Sequence, residues 1–206
     1  MSSSSWVATQ DAFSQAAAWF TATTAAVVDQ WDRVALGEWT VRDLVGHTSR
    51  ALLTVETYLD QPATAAEVSS PVQYFALVLA STGDPAAVAQ RGRNAGTALG
   101  ADPASALSEI AERVLARVHN APAEALVATP VGGMYLQDYL PTRTFELTVH
   151  TCDLATALGR ELQVPAAAAV ESFALAGALA ARGGRAGPLL LSATGRTALP
   201  AGFTVL

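Results

Sequence analysis

Apolar side chains recur at helical spacing through 6–31 (Phe13, Ala16, Ala17, Phe20, Val27, Val28, Trp31), with no internal Gly or Pro, which predicts a long first helix. The same period returns at Val41, Leu44, Val45, Leu52, Val55 and Leu59. There Thr40 is a natural N-cap, Asp43 stands at the capping-box position, and Trp39 can staple to Leu44, so a second helix starts at 41 and ends before Gln61-Pro62. Pro71, Pro85, Gly92, Gly96 and Gly100 divide the next stretch into shorter helical pieces over 72–80 and 85–99. Asp102-Pro103 opens a helix through Leu107, Ile110, Val114, Leu115 and Val118 that stops near Pro122. Thr129-Pro130-Val131-Gly132-Gly133 reads as a loop. Leucines at 136, 140, 147, 154 and 158 then mark a fourth long helix, mildly broken by Pro141 and capped by Gly159. A fifth helix spans about 164–181, and the tail is one short helix with an extended end.

Composition strengthens this all-α reading. Of 206 residues 51% are hydrophobic and 15% charged, enough to bury a substantial core, and the aliphatic residues are dominated by helix-favouring Ala and Leu together with Val. A net charge of −6, with scattered arginines and no lysine, offers no cationic face for phosphates and argues against nucleic-acid binding. The most apolar stretches are too short or are interrupted by Gln73 or Glu171, so no transmembrane helix is expected. The single cysteine, Cys152, and an N-terminus without a secretory pattern fit a reducing cytoplasm.

Three histidines limit the search for chemistry. His119 falls at a helix C-terminus, where an imidazole complements the helix dipole. His150 follows Glu146 by four residues, placing both side chains on one face at the edge of the Leu140, Leu147, Leu154 stripe. His47 has an analogous position on the second helix, beside Gly46, a small residue that lets a neighbour approach. Two histidines and one carboxylate on facing helices make a three-ligand set with an open position, the pattern of a catalytic rather than a structural zinc. Spacing alone leaves the plainer reading open: Glu146 pairs with Arg143, His150 is a core-edge histidine and His47 is incidental. Cys152, two residues beyond His150, points about 200° away from that face and reads as a small buried thiol.

Read whole, the two segments carry more. Trp39-Thr40-Val41-Arg42-Asp43-Leu44-Val45-Gly46-His47 resembles the Trp-x-Val-x-Asp-Leu-x-x-His segment of the mycothiol-dependent maleylpyruvate isomerase and DinB-like family of metal-binding four-helix bundles. Glu146-Leu147-Thr148-Val149-His150-Thr151-Cys152-Asp153-Leu154, ahead of Ala157-Leu158-Gly159, resembles its second signature. The resemblance covers about 6–160 and extends to the tail 199–206. It implies a DinB-like bundle over 1–160, with 161–206 as a helical extension packed on the same domain. It also implies a divalent metal, usually zinc, held by His47, Glu146 and His150, and mycothiol as thiol cofactor acting on a small electrophile. The chain resembles short members lacking the further C-terminal α/β domain of full-length isomerases, so thiol transfer and isomerisation both stay open. Two other readings are a non-catalytic metal- or ligand-binding bundle, monomeric or homodimeric, and a metal-assisted hydrolase in which Glu38 or Asp43 assists.

Overall fold

A computed structural model describes residues 3–81 and 85–206. In chain order the elements are α1 (Ser3–Ala25), β1 (Val34–Leu36), β2 (Trp39–Thr40), α2 (Val41–Leu59), α3 (Pro71–Ser81), α4 (Pro85–Ala98), α5 (Pro103–Asn120), β3 (Leu126–Thr129), β4 (Gly132–Tyr135), α6 (Leu136–Ala157), α7 (Ala166–Arg182) and α8 (Ala186–Ala193). The fold is an all-α bundle. Its frame is a closed ring in which α1 and α2 each pack against both α5 and α6; α4 lies along α2, and α7 covers α1 and α6. Phe13, Phe20, Leu44, Leu52, Leu107, Leu140, Leu147 and Leu154 fill the centre, fully buried. No helix among the described residues is long and apolar enough to cross a membrane.

The first helix stops at Ala25 rather than continuing to Trp31. The chain beyond it is recruited to begin α2: the carbonyls of Arg33 and Trp31 accept the N–H groups of Val41 (2.8 Å) and Arg42 (3.0 Å). A helix N-terminus leaves four such donors without partners, and the non-helical chain after α1 supplies acceptors for two of them. The expected capping box is present. Thr40 Oγ1 accepts from Asp43 N–H at 3.2 Å, and Asp43 Oδ2 accepts from Thr40 N–H at 3.0 Å. Asp43→Ala is therefore expected to cost about 1 kcal/mol of stability, visible as a lower urea midpoint with unchanged metal content.

Two hairpins are present, β1 with β2 ahead of α2, and β3 with β4 in the stretch read as a loop. Strands of two to four residues are too short to show an alternating pattern. The second hairpin delivers the chain into α6, whose first donors are taken by the carbonyls of Ala125 and Ala123. At the other end Gly159, with φ +67°, turns the chain out of α6 as expected of a helix-ending glycine.

Helix α6 is buried on nearly every side, yet it carries many threonines. The hydroxyls of Thr142, Thr144, Thr148 and Thr151 each donate to a carbonyl of the preceding turn, Tyr139, Leu140, Thr144 and Leu147 respectively. A buried hydroxyl without a partner costs free energy, and this back-bonding lets a polar helix occupy the middle of the bundle.

Candidate metal centre

The capping box fixes the phase of α2 and so directs His47 toward α6. Just before it, α2 and α4 cross at backbone contact. A Cβ on Gly46 would fall on the backbone N and Cα of Gly96 and 2.7 Å from the carbonyl carbon of Ala95, and one on Gly96 would lie 2.7 Å from the carbonyl oxygen of Arg42. The neighbour that Gly46 admits is helix α4. Trp39, expected as a staple to Leu44, has its ring against His47 (centroids 4.4 Å apart), and its indole N–H donates to the carbonyl of Ala89 on α4 at 3.2 Å. It is thus part of the site as well as of the helix entry.

On α6 the facing stripe is Arg143, Glu146, His150 and Asp153, at helical intervals of three and four. His150 Nε2 lies 3.4 Å from Glu146 Oε2, and its Nδ1 lies 3.0 Å from Asp153 Oδ2. The ring of His47 meets that of His150 edge-on at 4.9 Å. Ligand-capable atoms of His47, Glu146 and His150 all fall within 4.8 Å of one another. Arg143 forms no ion pair with Glu146, so the plainer pairing is absent.

The charges follow from these contacts. Burial, reinforced by His150, pushes His47 down to about 4, leaving a neutral imidazole at neutral pH. Burial opposes ionisation of Glu146, but the hydrogen bond from His150 and the charge of Arg143 outweigh it and hold the carboxyl at about 2. Burial likewise works against a charged His150, and hydrogen bonds to Asp153 and Glu146 overcome it, raising the ring to about 9. Without an ion, His150 is thus an imidazolium between two carboxylates.

The donor set fits a divalent metal on two grounds. His47 Nδ1 is buried without a hydrogen-bond partner among the described residues, an arrangement that costs free energy unless something binds there. The 3.4 Å between His150 Nε2 and Glu146 Oε2 is also close to the ~3.3 Å separating two tetrahedral ligands with bonds near 2.0–2.1 Å, as zinc requires. Asp153, on the far nitrogen of His150, is placed to orient the ring and fix its tautomer.

Residues 10–155 match the family described as Mycothiol maleylpyruvate isomerase N-terminal domain. The chain belongs to this family. No curated protein and no solved structure matches it. The matched segment contains every residue of the cluster.

His47 and Glu146 of the cluster line a cavity of about 470 Å³ walled in part by Arg50, Tyr58, Tyr74, Tyr139 and Arg143. Cys152 is half-buried and outside the cluster, its thiol pushed up by burial and by Asp153. His119 is exposed in the last turn of α5, away from the cluster. Asp43 is engaged in the capping box and Glu38 is exposed in the turn of the first hairpin, so neither supplies a base to the cavity. Asp153 and Arg143 were within reach of the arithmetic that found Glu146 and His150, since all four share one face; Trp39's contact depends on the path of α4.

Proposed function

We propose that this chain is a metal- and thiol-dependent enzyme of transferase or isomerase type, using mycothiol on a small electrophile, with His47, Glu146 and His150 holding a divalent ion, zinc by the character of the donors. The observation that carries the reading is the convergence of these three side chains, two of which, His47 and Glu146, line a cavity large enough for a small molecule. A divalent ion there would lower the pKa of an incoming thiol and keep it a nucleophilic thiolate near neutral pH. Glu146 and His47 present their ligand atoms from facing helices, Asp153 holds His150 in register, and Trp39 fixes the plane of His47. A thiol cofactor and a lone free cysteine support a reducing, cytoplasmic setting for this activity.

The test is a titration of cobalt-loaded protein with mycothiol. One sulfur-to-cobalt charge-transfer band per chain, together with thiol-dependent consumption of an electrophile, is the expected result. Cobalt binding with an unchanged spectrum and no turnover would overturn the reading in favour of a non-catalytic metal-binding bundle.

A further inference from the structure

Arg143 occupies an unusual setting for a guanidinium. It projects from α6 one turn before Glu146 into the cavity, and its guanidinium lies over the rings of Tyr74 (5.4 Å) and Tyr139 (5.0 Å). Its Nε donates to Thr142 Oγ1 at 2.9 Å. Among the described residues no carboxylate lies within ion-pair distance of Arg143, Arg50 or Arg91, although all three line the cavity. The single acidic residue on that wall, Glu146, is engaged with His150. Ordinarily a charge withdrawn from water acquires a counter-ion from the protein. Here the fold holds a guanidinium between aromatic faces and leaves its outer edge without one.

The geometry points to a carboxylate-binding subsite at Arg143, in which the guanidinium edge takes a ligand's carboxylate in two parallel hydrogen bonds while Tyr58, Tyr74, Phe75 and Val78 receive a flat or apolar body. Arg50 and Arg91 add positive potential at the same cavity. Stacking on two tyrosines holds the fork in one plane before the ligand arrives, which reduces the ordering cost of binding. The apolar walls suit a hydrocarbon body carrying the carboxylate. The inference deepens the proposed function: Arg143 and Glu146 share one face of α6, so a ligand anchored at Arg143 extends toward the His47–Glu146–His150 cluster and presents its electrophilic carbon there.

Benzoate is a suitable probe and benzamide its neutral isostere, both titrated into metal-free and zinc-loaded protein. Benzoate is expected to bind both forms, with benzamide weaker by roughly tenfold or more, the scale of a hydrogen-bonded charge. Arg143→Gln should lose that preference, and Arg143→Lys, which keeps the charge without the fork, should fall between. In the wild-type protein the Arg143 Nε–H resonance should shift along the same isotherm, a reading that survives if Arg143→Gln does not fold. Benzoate binding that needs zinc and persists in folded Arg143→Gln would make benzoate a metal ligand and overturn the subsite, leaving the metal reading intact. Benzoate binding through Arg143 in a protein that takes up no zinc would do the reverse. Equal affinity for benzoate and benzamide, or preference for inorganic phosphate, would also overturn it.

Discussion

His150→Ala is expected to purify without stoichiometric metal, whereas the wild type, His119→Ala and Cys152→Ser each hold about one divalent ion per chain, the single open-site stoichiometry. The loss should exceed the roughly 10–100-fold that removal of an outer partner costs, because a ligand itself is gone and Glu146 loses the neighbour that stabilises its charge. The pH dependence follows in sign. His150 is protonated below about 9, so ion binding must expel that proton; affinity falls as pH falls from 9, by about tenfold per unit. His47 stays neutral until about 4 and adds a second proton only there. Metal analysis of the four proteins, with proton release measured in weak buffer near neutrality, decides it. Equal metal in all four, or binding without proton release, would remove the cluster from consideration.

Gly46→Ala is expected to destabilise the protein by about 3 kcal/mol, the upper end of ordinary overpacking. The new methyl would meet backbone of Gly96 and Ala95, which cannot rotate away as a side chain does, so α4 must shift from α2. Alanine's helix propensity, better than glycine's by about 1 kcal/mol, offsets part of that. The movement should also displace Trp39 from Ala89 and lower metal occupancy at His47, since these contacts share the same crossing. Gly177→Ala is the contrasting control: nothing lies within 4 Å of its added methyl, and stability should rise by about 0.5–1 kcal/mol. Urea midpoints of the two variants report opposite signs, and a Gly46→Ala protein as stable as the wild type would mean that the two helices are not in backbone contact there.

The helices were legible wherever local chemistry sets them. Thr40 and Asp43, Asp102 before Pro103, and Gly159 mark their boundaries within a residue or two because each cap is made by neighbours in sequence. The end of α1 was not, because the use of Trp31 and Arg33 as acceptors for α2 is a tertiary event. The His47, Glu146 and His150 set was half legible: the pair on α6 follows from spacing, but the approach of His47 depends on how α2 packs on α6. Arg143 shows the limit most clearly. From spacing it read as a partner for Glu146, and only the tyrosines brought in from α3 and the start of α6 show it engaged elsewhere.

The contact of Trp39 with His47 gives the protein an optical gauge of its own. An indole lying against an imidazole has its excited state perturbed by whatever binds to or protonates that ring, so the emission of this tryptophan registers events at the candidate centre in unlabelled protein. Trp6, Trp19 and Trp31 contribute a background, and a Trp39→Phe difference spectrum isolates the one that reads the site.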